Sequence, residues 1–261
     1  MDKKCAETDT IKSPPPTGGR AASGGSPVRI DIATLFPEMC ENYLSQSVIG
    51  RARQSRAVEI NCHNIRDYAG NKHNSVDDKP YGGGTGMVIQ PEPVYACITD
   101  IMNNVQCTTH NAQLPRLIYM SPQGRVLTQE LVKELAAETW LVILCGHYEG
   151  VDCRVIEELN FTEISVGDYV VTGGELPALI LADSITRLQD GVLPDSSAYT
   201  NDSHWNGLLE HPLYTRPEVW RGREVPKTLL SGHHAEIERW RAEESLKTTN
   251  SKRPDLCNFH K

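Results

Sequence analysis

Five carboxylates and one arginine in the second half of the chain are the residues whose chemistry is easiest to name. Asp168, Asp183, Asp190, Asp195 and Asp202 could each take a proton as a general base. For any one of them, a helix cap or a solvated turn is the commoner reading. Arg187 closes an apolar run, LPALILADSITRLQ. There its plain reading is a cation that complements the negative end of a helix, and position alone lifts it no higher. A glycine cluster, YGGGTGM, has the look of a phosphate cradle. It lacks the Gly-x-x-x-x-Gly-Lys-Ser/Thr order, and Met87 stands where a dinucleotide fingerprint has its last glycine. Asp77, Asp78, Lys79 and Pro80 precede it, a charged stretch that suits either substrate gripping or a solvated turn.

Several chemistries are excluded or left without support. No Gly-x-Ser-x-Gly elbow is present, which disfavours an α/β-hydrolase. The nine histidines, including the pair His233–His234, show no His-x-x-x-His ligand spacing, and no metal site is expected from them. The eight cysteines, at 5, 40, 62, 97, 107, 145, 153 and 257, form no Cys-x-x-Cys pair. They read as reduced, mostly structural thiols of a cytoplasmic chain.

The elements that must position these residues follow from periodicity. At 261 residues and 39% apolar composition the chain can bury a real core. Its longest nearly unbroken apolar run, Trp140 to Cys145, is far below the ~20 residues of a membrane span. Residues 1–27, rich in Pro, Gly and charge and without an apolar stretch of signal-peptide type, read as a disordered extension. VRIDIAT is a strand, LFPEM opens a helix with Pro37 in its first turn, and VEINCHNI is a second strand. A long polar, glycine-rich stretch leads to a helix over 91–105. Then RLIYM, TQELVKELAAE, WLVILC, RVIEEL, TEISV and LPALILADSITRLQ alternate as strand and helix. That order predicts an α/β fold with a mostly parallel sheet and helices on both faces.

Glycines fall in the three loops after those strands: Gly124, then Gly146 and Gly150, then Gly167, Gly173 and Gly174. Open α/β sheets bind ligands at the carboxyl ends of their strands, so three such loops side by side could make one pocket. Residues 28–189 form this domain, 190–207 read as a flexible linker, and 208–261 as a small, mainly helical module with Ser231 as an N-cap. Residues 208–261 hold ten Lys and Arg against eight Asp and Glu. That is +2, within a whole-chain charge of −8 that leaves −10 on residues 1–207. Net charge alone argues against a polyanionic partner, whereas the asymmetry leaves a local grip open.

Seven motifs raise the reading above this level. YMSPQGR, LCGHYEGVD, ISVGDYVVTGGELP, HPLYTRP and SGHH occur together and in order, preceded by LFPEM and DDKPYGGGTGM. Over residues 28–256 the sequence resembles the bacterial tRNA (guanine-N1)-methyltransferases of the SPOUT class. The resemblance implies a deep trefoil knot at the C-terminal end of the α/β domain, with S-adenosylmethionine held by the knotted loops. The matching positions are Tyr119, Met120, Pro122, Gly146, Tyr148, Val166, Gly167, Asp168, Tyr169, Val170, Val171, Gly173 and Gly174, with Glu149 bordering the reacting groups.

It also implies a substrate, the guanosine at tRNA position 37 just 3′ of the anticodon. Asp202 matches the base that removes the N1 proton, and Arg187 the cation that meets charge on O6 and pairs with that acid. A homodimer with its active site at the subunit interface is implied, as is Mg²⁺, for which no acidic cluster suggests ligands. Arg216, Arg221, Arg223, Lys227, Arg239 and Arg241 of the helical module become the grip on the anticodon stem-loop. Three departures stand out: the N-terminal extension, an end soon after SKRPDL, and Thr85 where many relatives carry proline. Two alternatives remain at this level, a SPOUT methyltransferase of another RNA and a non-catalytic RNA-binding protein. The second has no need of a base at Asp202.

Overall fold

The computed structural model describes residues 27–106 and 114–260. The extension expected over residues 1–27 therefore lies, Pro27 apart, outside the described residues. In chain order the elements are β1 (Val28–Thr34), α1 (Pro37–Leu44), α2 (Ser47–Gln54), β2 (Val58–Asn64), β3 (Asp77–Asp78), β4 (Val88–Ile89), α3 (Pro91–Gln106), β5 (Arg116–Val126), α4 (Gln129–Ala136), β6 (Trp140–Cys145), α5 (Cys153–Glu158), β7 (Thr162–Ser165) and α6 (Glu175–Thr186). After these come α7 (Ser197–Thr200), the β8–β9 hairpin (Val219–Trp220 and Arg223–Glu224), α8 (Lys227–Leu230) and α9 (His234–Lys252). Among the described residues no helix is long and apolar enough to cross a membrane.

Five strands form one sheet in the order β2-β1-β6-β5-β7, and every adjacent pair is parallel. The two-residue alternation of a strand explains its two cores. On β1, Ile30 and Ile32 join one apolar cluster, packed with α1, α2, α4 and α6, whereas Ala33 joins the other, packed with α3 and α5. On β6, Leu141 and Ile143 face the first and Val142 and Leu144 the second. Being covered on both faces, β6 is buried at every position, which is why WLVILC is an unbroken apolar run.

Local chemistry fixes several boundaries. Pro37 occupies the first turn of α1. Thr128 caps α4, its side chain accepting from Leu131 N at 3.3 Å, and Asp152 caps α5 by accepting from Arg154 N at 2.9 Å.

Other boundaries differ from the sequence reading. β2 stops at Asn64, whose side chain accepts from Arg66 N and starts a 3-10 turn at Ile65–Tyr68. The long polar stretch contains this turn and the β3–β4 pair, Asp77 opposite Ile89. α6 ends at Thr186 rather than near Gln189. Ser231 does not cap α9, because it follows α8 and its Oγ accepts from His233 N at 3.1 Å, one residue before the helix begins. α2, SVIGRARQ, carries too few apolar residues for its pattern to stand out.

The largest difference lies in β5. Where RLIYM was expected to end in a loop, the strand leaves β7 after Met120↔Ile164 and rejoins it at Arg125↔Ile164, with residues 121–124 looped out between. A Cβ on Gly124 would fall on the backbone of Glu163 and Ile164. Only glycine lets the returning chain lie so close against β7.

Candidate active site

The carboxyl ends of β5, β6 and β7 meet the loops that follow them around a cavity of about 450 Å³. That volume is within the usual range for small-molecule sites. All the positions matched to the cofactor pocket line it except Gly167 and Asp168. Gly167 is instead tied to Ser165, whose Oγ donates to Gly167 O at 3.0 Å and accepts from Gly167 N at 3.2 Å.

Backbone packing shapes this cavity. Gly174 N donates to Gly146 O at 2.7 Å, and His147 and Gly173 form an antiparallel bridge. A Cβ on Gly174 would lie 2.7 Å from both Cys145 Cα and Gly146 N, and one on Gly146 would lie 2.9 Å from Tyr119 Oη. Gly174 is therefore required by close approach of backbone, whereas at Gly146 the neighbour is the Tyr119 side chain. Burial pushes the Tyr119 phenol up, partly offset by a hydrogen bond from the Val151 backbone.

The 146–150 turn is clamped from outside by the chain entering and forming β4. Glu149 N donates to Met87 O at 3.0 Å, Ile89 N to Gly150 O at 2.9 Å and Asp152 N to Ile89 O at 3.0 Å. Tyr148 is held at φ 60° and Gly150 at φ 126°, and Arg66 Nη2 reaches Tyr148 Oη at 3.5 Å. Glycine takes such a φ freely, whereas at Tyr148 it persists only where the surroundings over-determine it.

Two residues of this region were missed by the sequence reading. His147 lines the cavity with its Nδ1 buried and without a hydrogen-bond partner, 4.0 Å from Glu175 Oε2. Glu175 is 2% exposed, and its Oε1 accepts from Thr34 Oγ1 at 2.8 Å. The only available signal was a charged residue at the first turn of a helix otherwise read as apolar.

Arg187 and Asp202 come together elsewhere in the chain. Arg187 closes α6, and its Nη2 lies 2.6 Å from Asp202 Oδ2, with both side chains more than a third exposed. Turns in the 190–207 segment hold the acid, with Asp202 N donating to Tyr199 O and Trp205 N to Asp202 O, each at 3.2 Å. Trp205 packs on Tyr199 at 5.0 Å between ring centroids and lies under the Lys133 ammonium at 4.0 Å. The segment is turn-rich, as read, with α7 inside it. Neither Arg187 nor Asp202 lines the cavity.

Chemically the two features are complementary. The cavity offers aromatic and aliphatic walls beside glycine backbone, a lining suited to a partly apolar small molecule. The ion pair offers a solvent-reachable carboxylate next to a fixed cation. The six cationic positions of the helical module are all exposed. Among the described residues no three His, Cys, Asp or Glu side chains come together as a metal site.

Comparison with known proteins bears directly on this geometry. Residues 28–259 match the family described as tRNA (Guanine-1)-methyltransferase TrmD. A tRNA (guanine-N(1)-)-methyltransferase of Ruminiclostridium cellulolyticum is 52% identical over 231 residues, 88% of this chain and 97% of the relative. One from Alkaliphilus oremlandii is 50% identical over 87% of this chain and 91% of its own length. One from Bacillus subtilis is 49% identical over 89% and 93%.

Proposed function

The chain belongs to the tRNA (guanine-1)-methyltransferase family, and from that premise we propose how its cavity and its Arg187–Asp202 pair methylate N1 of the guanosine 3′ of the anticodon. Neutral guanine carries a hydrogen on N1 and no free lone pair there. The proton must leave before or while the methyl arrives. Bound in the cavity, S-adenosylmethionine would supply that methyl from its sulfonium, the S–CH3 bond breaking to leave the neutral thioether S-adenosylhomocysteine. Asp202 takes the N1 proton. Arg187 holds Asp202 in place and meets the negative charge that grows on O6 as the proton departs.

A positioned base contributes ~10²–10⁴-fold, and a preorganised cation ~10²–10³-fold. The remainder comes from alignment of the methyl with N1. The observation that supports this best is the 2.6 Å Arg187–Asp202 contact, which leaves the acid oriented and open to solvent. Tyr119, Met120 and Val166 pack the adenosyl group, while Gly146 and Gly174 keep the loops close enough to form its wall. No residues are assigned to Mg²⁺ and no step runs through it.

Because the pair does not line its own chain's cavity, the working site unites Arg187 and Asp202 of one subunit with the cavity of a second. An exposed apolar face of Phe36, Met39 and Tyr43 on and beside α1, with Leu176 and Ile180 on α6, supports this homodimer. Backbone contacts of Gly124 with β7 and of Gly174 with the end of β6 support threading of the three loops into a knot. Residues 208–261 grip the anticodon stem-loop through their exposed cations.

The test is methyl transfer from labelled S-adenosylmethionine to a tRNA transcript with GG at the anticodon's 3′ boundary. Wild type should yield N1-methylguanosine at that position, and Asp202→Ala should lose at least ~100-fold in kcat. Product at another base, or an unimpaired Asp202→Ala, would overturn the reading.

A further inference from the structure

Tyr81 is 98% exposed, the most of any large hydrophobic side chain among the described residues. An isolated surface aromatic is unremarkable in itself. Its setting is unusual for two reasons. The three residues after it, Gly82, Gly83 and Gly84, have φ of 84°, 83° and 121°, and a Cβ on any of them would meet nothing within 4 Å. Among the described residues nothing fills the space beside that backbone where side chains would stand.

At its far end the same loop is fixed. Gly86 packs against the Glu149 side chain, and Met87 and Ile89 hydrogen-bond to the cavity's 149–152 wall. The loop is thus pinned at the cavity and bare at its tip, with an aromatic ring beside it.

An uncovered aromatic face beside bare glycine backbone matches the way proteins hold an unpaired nucleotide. The ring stacks on the base, and the backbone meets sugar and phosphate. Glycine is the residue that lets backbone come so close. We propose that Tyr81 is a stacking platform for a base of the tRNA anticodon loop flanking the target guanosine, with Gly82–Gly84 lying against that nucleotide's sugar and phosphate. Tyr81 is a substrate-positioning residue and does not touch the reacting atoms. This inference rests on the tRNA reading above.

The experiment compares Tyr81→Ala, Tyr81→Leu and Tyr81→Phe with wild type in the full-length protein. It measures tRNA KM and kcat, the S-adenosylmethionine Kd by calorimetry, and fluorescence of 2-aminopurine placed on either side of the target base. Loss of base–aromatic stacking should raise tRNA KM by about 5- to 150-fold in the Ala and Leu variants, while Phe stays within about threefold. Quenching of one 2-aminopurine position should persist with Phe and vanish with Ala. Cofactor Kd should stay within about twofold throughout.

An unchanged KM in Tyr81→Ala would overturn the proposal. So would Leu restoring what Phe restores, since that is apolar contact and not stacking. A weakened cofactor Kd in its place would overturn it too, by showing that the ring closes over the cavity. Failure of the wild type to methylate tRNA would sink the functional reading separately, and the 2-aminopurine signal would still decide the stacking.

Discussion

Gly174→Ala probes how the cavity wall is built. Gly174 has φ −77°, which any residue adopts, so the substitution imposes no backbone strain and its cost is steric alone. The added methyl would lie 2.7 Å from Cys145 Cα and Gly146 N, against ordinary carbon contacts of about 3.5–4.0 Å. The chain must therefore move by about 0.8 Å or more. Overpacking of this kind costs about 1–3 kcal/mol. Stretching the Gly174 N to Gly146 O bond, 2.7 Å long, adds about 1 kcal/mol.

A loss of about 2–4 kcal/mol in a chain of this size lowers Tm by roughly 4–16 °C. Part of the strain is relieved by moving Gly146, which lines the cavity. At about 1.4 kcal/mol per decade, cofactor affinity should then fall about tenfold. The assay is thermal unfolding with and without S-adenosylmethionine, together with calorimetric titration. Gly70→Ala, whose Cβ would meet nothing within 4 Å, is the control and should shift stability by less than about 0.5 kcal/mol. A Gly174→Ala protein with wild-type Tm and cofactor affinity would refute the close-packed wall.

Two further outcomes follow from other regions. Ile180→Glu places a charge in the exposed face shared by α1 and α6, so light scattering should show a monomer and tRNA methylation should fall at least ~100-fold. A dimer that retains activity would move the interface elsewhere. Asp31 is fully buried and accepts from Trp140 Nε1 at 2.7 Å and from Arg29 Nε at 2.7 Å, with His63 Nε2 at 2.8 Å. Burial pushes its carboxyl up, but the His63, Arg29 and Trp140 hydrogen bonds outweigh burial and hold it below the usual range. With the folded pKa depressed, its stabilisation is complete above about pH 4 and is lost as pH falls through the folded value. Asp31→Asn should cost about 2–3 kcal/mol at neutral pH by denaturant unfolding and should flatten that acid limb. An unchanged acid limb would assign it to other groups.

Much of this architecture is legible in the residues, for identifiable reasons. β6 announces itself because a central parallel strand is apolar on both faces, and α4 because Thr128 and the apolar positions after it agree on one start. The pocket was legible through glycine, because bare backbone at three successive strand ends lets chain and ligand approach closely there. What escaped was long-range. Nothing in SPQGR says that the chain rejoins β7, because that depends on Gly124 meeting Glu163 and Ile164 some forty residues on. The Thr34–Glu175–His147 group joins three separate elements and carries no local pattern. Ser231 had a capping residue's chemistry but sits at the end of α8, where its hydroxyl closes a turn. The pairing of Arg187 with Asp202 came through resemblance alone, as a cation at a helix end and an acid in a turn are individually ordinary.

The composite site is tested most directly by subunit complementation. Asp202→Ala chains keep the cavity, whereas Gly146→Val chains keep the ion pair and crowd the cavity against Tyr119. Each is nearly inactive alone. Equal amounts, dissociated and reassembled, give half heterodimers, each with one intact site and one doubly broken site. Methyl transfer to tRNA should therefore recover to about one quarter of wild type. No recovery in a verified heterodimer would contradict the account and place Asp202 with the cavity of its own chain.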